Sequence, residues 1–271
     1  MRNSDSGELA KIFFGRAADA RHSGKWEHYF AIYERHLARY RGQPLTLLEI
    51  GVQNGGSIDV YRQFFGTQMQ YIGIDIDPEC KQLERDYESG VRIEIGDSSD
   101  AAFLARVASR LPKIDVIIDD GSHLPAHQLR AFAALYRRLD ADGVYIVEDL
   151  HTNYFPTYGG GRHSPSTFLA YAKELTDSLH DSVYQNAYYH PRLTTRIDRL
   201  LFQVKRRLGL PGTANGPTPW IQNQPPSRDR EFRETTKSIH FYPYLVVFEK
   251  GRWATIRETA SGSRMIPHPP R

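Results

Sequence analysis

An apolar segment runs straight into a glycine-rich turn, LLEIGVQNGGS at residues 47–57, and this limits the folds open to the chain. Glycine allows sharp turns and lets another group approach where a side chain would clash. A strand, a glycine turn and a helix in succession are typical of parallel α/β sheets that bind nucleotide-like ligands. The spacing of Gly51, Gly55 and Gly56 departs from the G-x-G-x-x-G pattern, which argues against a dinucleotide pyrophosphate.

Apolar strands and helical segments alternate through the first half of the chain. Continuous apolar strands between helices indicate a parallel sheet covered on both faces. Farther on, SIHFYPYLVVFEKGRWATI predicts two strands joined by a tight turn at Lys250–Arg252. The predicted fold is therefore α/β and Rossmann-like, with a mostly parallel seven-stranded sheet that ends in an antiparallel hairpin. Strands are predicted at 45–50, 71–76, 91–95, 114–119 and 144–147, and helices at 26–40, 57–65, 78–87, 101–111, 126–139, 165–179 and 192–208.

The chain length of 271 residues suits one domain with an insertion. We predict that this domain covers residues 1–257, with a helical lead at 1–43 and a helical insertion at 180–236. Irregular stretches of such length inside a compact domain usually serve a function. Residues 258–271 are expected to form a poorly ordered tail.

Composition excludes several classes of function. The net charge of +3, from 35 basic and 32 acidic side chains, is too small and dispersed to indicate a nucleic-acid partner. Cys80 is the single cysteine, so an internal disulfide is impossible and a reducing compartment is expected. The chain has neither a signal-peptide pattern nor an apolar run of the ~18 residues that a membrane span needs. A cytoplasmic protein without an integral membrane segment is therefore expected.

Polar residues at three successive strand ends predict a site for S-adenosylmethionine (SAM). Glu49, just before the glycine turn, is placed to hold the cofactor's ammonium group. Asp75 ends the second strand and can accept hydrogen bonds from a ribose, while Asp97 and Ser98 can meet the adenine edge. The alternative is that these are ordinary turn residues, since Gly, Asp and Ser favour such loops. The full predicted set is Glu49, Gly51, Asn54, Gly55, Ser57, Asp75, Asp97, Ser98 and Asp119.

Acidic residues also gather where the fourth and fifth strands end, in IIDDGSH and VEDLHT. Carboxylates that lie close together repel one another unless they are protonated or neutralised by a cation. Oxygen ligands without cysteine suit Mg²⁺, Mn²⁺ or Ca²⁺. We therefore predict a divalent metal, Mg²⁺ or Mn²⁺, held by Asp120, Glu148 and Asp149. His123 is the candidate general base, because an ordinary histidine pKa of about 6.5 suits proton removal at neutral pH.

Other roles for these polar residues stay open. Asp119 can cap the following helix and Asp149 a turn, and His123 or His151 can be a hydrogen-bonded structural residue. His127 and His151 are predicted to be structural or to contact substrate.

Four motifs together, LLEIGVQNGGS, YIGIDID, IIDDGSH and VEDLHTNYFPTYGGG, resemble the metal-dependent sugar O-methyltransferases of antibiotic pathways. The similarity extends over residues 29–179. The resemblance implies a class I methyltransferase in which Asp120, Glu148 and Asp149 bind Mg²⁺ and His123 is the base. It also implies a glycoside or saccharide acceptor, and we expect a homo-oligomer.

The insertion contains a basic amphipathic helix at 192–208. Such a helix can lie on an anionic membrane surface, contact an acidic partner or form a lid. A packed helix with a solvated face is favoured over membrane contact, because such charge patterns are common on protein surfaces. The aromatic residues Tyr154, Phe155, Tyr158 and Trp220 can stack on sugar rings or pack in the core. Two other functions remain open: a catechol-type O-methyltransferase, and a non-methylating SAM-binding accessory protein of the cephalosporin-modification group.

Overall fold

Seven strands form one sheet in the order β3-β2-β1-β4-β5-β7-β6. The computed structural model describes residues 7–180, 226–252 and 261. β1 to β5 run parallel, β7 pairs antiparallel with β5, and β6 pairs antiparallel with β7. The predicted mixed seven-stranded sheet is confirmed. The strands are β1 (Leu45–Ile50), β2 (Met69–Asp75), β3 (Val91–Ile95), β4 (Ile114–Asp119), β5 (Leu139–Val147), β6 (Thr236–Tyr242) and β7 (Leu245–Lys250).

Helices cover both faces of this sheet. Successive strand residues point to opposite faces. Leu47 therefore belongs to the core cluster that includes α1, α2 and α3, and Leu48 to the cluster that includes α4, α5, α6 and α7. Both leucines are fully buried, and burial of each contributes roughly 1.5–3 kcal/mol. The helices are α1 (Glu8–Phe14), α2 (Tyr29–Leu37), α3 (Gly56–Phe65), α4 (Ala101–Ser109), α5 (Pro125–Leu135), α6 (Phe168–His180) and α7 (Pro226–Thr235).

Short 3₁₀ helices extend or replace several predicted α-helices. The predicted helix at 26–40 divides into α2 and a 3₁₀ turn, and the segment Pro78–Asp86 is 3₁₀ throughout. The remaining 3₁₀ segments are Tyr136–Arg138, Leu150–Tyr154 and Pro156–Tyr158. β5 begins five residues before its prediction, because Leu139 already pairs with Ile114 across a bulge.

The hairpin turn lies elsewhere than predicted. We expected it at Lys250–Arg252, but β6 turns into β7 at Pro243–Tyr244, where Tyr242 pairs with Leu245. Proline has no N–H for the ladder, and Tyr244 has a φ of 65°. β7 is an inner strand flanked by β5 and β6, so its apolar residues are buried without alternation. Apolar residues continue on both sides of Pro243, so the sequence alone favours one continuous strand there.

Two helices lie in regions predicted to be helical only in general terms, without bounds of their own. α1 lies in the N-terminal lead, and α7 lies in the predicted insertion. The predicted basic helix at 192–208, Trp220 and most of the predicted tail fall outside the described residues. Within the part that is described, no helix has both the length and the apolar character needed to cross a bilayer.

Candidate metal and cofactor site

The crevice between the carboxyl ends of β1 and β4 is where the strand order reverses, the place where open α/β sheets bind ligands. Gly51 has a φ of 91°, and a Cβ there would lie 2.2 Å from the carbonyl oxygen of Asp120. A Cβ on Gly56 would lie 2.3 Å from the carbonyl oxygen of His22. A side chain at either position would clash with neighbouring backbone, so both positions require glycine.

Glu49 is buried at the end of β1 beneath the turn. One of its oxygens, Oε2, accepts hydrogen bonds from Ser57 Oγ at 2.7 Å and from the Tyr71 hydroxyl. Burial raises the pKa of Glu49 to about 7, against the opposing charge of Lys25. Ser57 thus contacts Glu49 directly. Asn54 is exposed to solvent, and Gly55 has a left-handed backbone conformation with a φ of 74°.

Asp75 holds the glycine turn from the end of β2. Its carboxylate accepts backbone N–H bonds from Val52 at 2.8 Å, from Gln53 at 2.9 Å and from Asp77 at 2.9 Å. Burial works to raise the pKa of Asp75, but these backbone bonds outweigh it and lower the pKa. A carboxylate has about four acceptor positions, so a ribose hydroxyl can still be bound. The turn role raised as an alternative is present here.

Asp97 and Ser98 lie at the end of β3, at the same edge of the sheet. Asp97 is exposed and accepts a hydrogen bond from the backbone N–H of Ser99 at 2.7 Å, and this bond lowers its pKa. Ser98 is half-buried. Like Asp75, Asp97 therefore stabilises a turn through its side chain. Its contact with adenine stays a prediction.

The carboxylates of Asp120, Glu148 and Asp149 converge beyond β4 and β5. Lys25 Nζ lies 2.5 Å from Asp120 Oδ2 and 2.6 Å from Glu148 Oε1. Burial alone would lower the pKa of Lys25, but the charges of these two carboxylates hold it well above its usual range. Burial and the nearby Asp120 raise the pKa of Glu148, while Lys25 opposes that rise. The predicted crowding of negative charge is therefore present.

His123 joins this cluster. Its Nε2 lies 3.7 Å from Asp149 Oδ2, and its buried Nδ1 has no hydrogen-bond partner among the residues described. Possible ligand atoms of Asp120, His123 and Asp149 all lie within 4.8 Å of one another. Glu148 is not in that group of three; it is more deeply buried and is bound to Lys25 and Tyr33. His123 is therefore placed to act either as a base or as a ligand.

The capping roles considered for the acidic residues are not seen. The N-cap of α5 is Leu124, without a side-chain cap bond. Asp149 is the N-cap of the next 3₁₀ segment, but its side chain makes no cap bond. Asp119 is buried, burial raises its pKa to about 7, and its Oδ2 has no partner in the described structure. Its predicted contact with the cofactor stays a prediction.

The two other histidines lie beside the cluster. His127 Nδ1 is 3.0 Å from Ser122 Oγ. His151 Nδ1 is 4.0 Å from Asp149 Oδ1, and its ring meets Trp26 edge-on with centroids 5.7 Å apart. His127 therefore has a structural bond, and His151 belongs to an aromatic wall of the site.

Four residues that sequence analysis did not place in the site bind its carboxylates directly. Tyr29 and Tyr33 fall within the predicted helix at 26–40, and both are buried on α2. The cluster required a cation, but nothing singled out Lys25 among 35 basic residues. The four residues are Lys25, Trp26, Tyr29 and Tyr33.

The carboxylates border an open cleft of about 270 Å³. Its walls are formed by Gly24, Lys25, Trp26, Asp120, Glu148 and Asp149. A hard divalent cation prefers carboxylate oxygens and keeps positions open for substrate. The donor set and the open cleft therefore fit Mg²⁺ or Mn²⁺.

Comparison with known proteins confirms the resemblance seen in the motifs. Residues 48–150 match a family model described as a methyltransferase domain. The chain is 33% identical over 238 residues to the 8-demethyl-8-alpha-L-rhamnosyl tetracenomycin-C 2'-O-methyltransferase of Streptomyces olivaceus, covering 84% of this chain and 52% of that protein. It is 36% identical over 165 residues to the Mycinamicin VI 2''-O-methyltransferase of Micromonospora griseorubida, covering 56% of this chain and 40% of the relative.

Solved structures agree. The MycE methyltransferase of the mycinamycin biosynthetic pathway, in complex with Mg, SAH and mycinamycin VI, matches with a TM-score of 0.63 and 28% identity. The match covers 93% of this chain and 54% of that chain. This chain thus spans about half the length of the relatives it matches.

Proposed function

Because the chain carries a methyltransferase domain of the class I fold, we propose that it transfers the methyl group of SAM to a sugar hydroxyl of a glycosylated natural product. The observation that carries this proposal is the convergence of Asp120, Glu148 and Asp149 on an open cleft beside the glycine turn. We assign these three residues to Mg²⁺ or Mn²⁺. One matched relative is named for a rhamnosyl tetracenomycin and another for mycinamicin VI, and these names support the acceptor class.

We assign the residues of the crevice to the cofactor. Glu49, held by Ser57, is placed for the ammonium group, and Asp75 for the ribose. Asp97 and Ser98 are assigned to the adenine edge. Gly51, Asn54, Gly55 and Asp119 complete the lining.

Chemistry at the methyl group then requires only proton removal and alignment. When bound, a divalent ion would lower the pKa of a neighbouring sugar hydroxyl, and SAM would supply the methyl group and leave as S-adenosylhomocysteine. His123 Nε2, 3.7 Å from Asp149 Oδ2, accepts the hydroxyl proton. Holding the acceptor oxygen in line with the methyl group supplies most of the rate enhancement.

Exposed aromatic rings beside Asp149 support a sugar acceptor. Trp26, Tyr244 and Phe155 are each more than two-fifths exposed. Trp26 and Tyr244 have ring centroids 5.2 Å apart, and His151 contacts both of them and Phe155. Aromatic rings are suited to pack against the apolar face of a sugar. We propose this group of rings as the wall of the acceptor pocket.

Methyl transfer from labelled SAM tests the proposed function. The purified chain is incubated with rhamnosylated polyketides and, in parallel, with catechols. We expect label in the glycosides, loss of transfer in EDTA, and recovery on addition of Mg²⁺. Transfer to catechols alone would contradict the acceptor class, and full activity in EDTA would contradict the metal assignment. A cytoplasmic, homo-oligomeric enzyme is also expected.

A further inference from the structure

Side chains just before α2 and within it donate hydrogen bonds to all three proposed metal ligands. Each carboxylate has one oxygen that accepts a hydrogen bond from this part of the chain. The bonds are Lys25 Nζ to Asp120 Oδ2 (2.5 Å), Lys25 Nζ to Glu148 Oε1 (2.6 Å), the Tyr33 hydroxyl to Glu148 Oε1, Trp26 Nε1 to Asp149 Oδ1 (3.0 Å) and the Tyr29 hydroxyl to Asp149 Oδ1 (2.9 Å).

The second oxygen of each carboxylate remains available. Asp120 Oδ1 and Glu148 Oε2 accept no hydrogen bond from the residues that the structure describes. Asp149 Oδ2 has His123 Nε2 as a neighbour, at 3.7 Å, beyond hydrogen-bond distance. One oxygen per residue is thus fixed by protein, and one is left for a cation.

From this division of oxygens we infer that Lys25 is a positioning residue of the divalent-cation site, assisted by Tyr33. The inference rests on the proposed function, because it takes Asp120 and Glu148 as ligands. Partners that bind the far side of a metal ligand fix its orientation. A cation also limits repulsion between the carboxylates.

The surroundings of Lys25 show that it is built into the site. Its side chain is only 8% exposed, although it carries a charge. The segment before it is fixed: Arg21 pairs with Asp59 at 3.0 Å and with Asp86 at 2.8 Å. Because the Arg21 and His22 carbonyls also lie against Gly56, the segment is anchored at the glycine turn. Lys25 is therefore held in place from outside the carboxylate cluster.

Electrostatics alone favours the opposite role, in which Lys25 competes with the metal ion, because an ammonium group repels a cation. If Lys25 only occupied the place of the cation, its removal would tighten metal binding. If Lys25 orients the ligands, its removal weakens binding. The sign of the change in affinity separates the two roles.

Mn²⁺ binding, measured by electron paramagnetic resonance with S-adenosylhomocysteine present, tests the inference without requiring turnover. We expect Lys25→Met to weaken Mn²⁺ binding about 10- to 100-fold. Lys113→Met is the matched control: Lys113 pairs with Asp115 at 2.7 Å near the opposite end of β4 and is 47% exposed. Its Mn²⁺ affinity should equal that of the wild type. Equal or tighter binding by Lys25→Met would overturn the inference.

Tyr33→Phe provides a second test that keeps the volume of the buried side chain. It removes only the hydroxyl that binds Glu148, and we expect several-fold weaker Mn²⁺ binding with an unchanged melting temperature. If Lys25→Met does not fold, unchanged affinity in Tyr33→Phe would overturn the inference. Failure of the wild type to bind Mn²⁺ would instead refute the proposed metal site, so the two failures are distinguishable.

Discussion

Two residues at the carboxylate cluster, His123 and Asp149, have left-handed backbone conformations. His123 has a φ of 57° in the loop that follows β4, and Asp149 has a φ of 56° in the loop that follows β5. His and Asp tolerate this region better than most residues, but such conformations cost about 1–3 kcal/mol and cluster at functional sites. In these conformations the two side chains lie close together, with His123 Nε2 3.7 Å from Asp149 Oδ2. The strain supports the assignment of these loops to chemistry.

His123→Asn is the sharpest test of the proposed base. Asparagine accepts the left-handed conformation but cannot take up a proton at neutral pH. We expect kcat to fall about 10²- to 10⁴-fold, with the affinity for S-adenosylhomocysteine and the melting temperature unchanged. Kinetics, titration calorimetry and thermal unfolding provide these three readouts.

The outcome also separates the two roles open to His123. A parallel loss of Mn²⁺ affinity in His123→Asn would assign it to the metal. Wild-type turnover would exclude it as the base.

Individual site residues differ in how far the sequence could predict them. Asp120, Glu148 and Asp149 follow apolar strands, so the ends of neighbouring strands bring them together without further information. Lys25 binds partners 95 and 123 residues away, and no local pattern encodes such a pairing. The sequence offered a turn role for Asp75 as an alternative, but the three backbone N–H groups that its carboxylate binds needed coordinates.

At the level of elements, α2 connects the candidate site with the C-terminal hairpin. Three residues toward the C-terminus from Tyr33, His36 Nδ1 lies 2.9 Å from Glu249 Oε1 on β7. His36 Nε2 lies 2.9 Å from the Tyr242 hydroxyl on β6. This polar contact joins the N-terminal lead to the antiparallel edge of the sheet.

Glu249→Gln should change how stability depends on pH. The hydrogen bond with His36 lowers the pKa of Glu249 to about 2, overcoming burial, and the charges of His36 and Arg39 assist. A lowered pKa in the folded state stabilises the protein above the ordinary value of about 4.5, and that stability is lost as pH falls toward 2. We expect the variant to lose roughly 1–3 kcal/mol at pH 6 and little at pH 2.

Urea unfolding at pH 6 and at pH 2 measures this difference. Glu231→Gln is the control, because its pair with Arg137, at 3.3 Å, is more than half exposed on both sides and should contribute little. An equal loss of stability at both pH values in Glu249→Gln would contradict the account.

Elements with strong periodicity were predicted well, and the others were not. β1, β3 and β4 match their predicted bounds because they are apolar and flanked by turn residues. The hairpin turn was misplaced because apolar residues continue on both sides of Pro243. α7 has little apolar pattern, so it gave no signal of a packed helix.

On the scale of the whole molecule, the candidate site is assembled from distant parts of the chain. The central strands supply the carboxylates, the N-terminal lead supplies Lys25 and Trp26, and the hairpin supplies Tyr244. The Tyr29 hydroxyl binds both Asp149 Oδ1, at 2.9 Å, and the Tyr244 carbonyl, at 3.1 Å. Residues from both ends of the described fold therefore contribute to the candidate site.

An anomalous difference map from crystals grown with Mn²⁺ and S-adenosylhomocysteine tests the central claim most directly. The account predicts one Mn²⁺ peak in the cleft, in contact with an oxygen of each of Asp120, Glu148 and Asp149, beside the sulfur of S-adenosylhomocysteine. Cofactor bound at the glycine turn without Mn²⁺ at these carboxylates would contradict it.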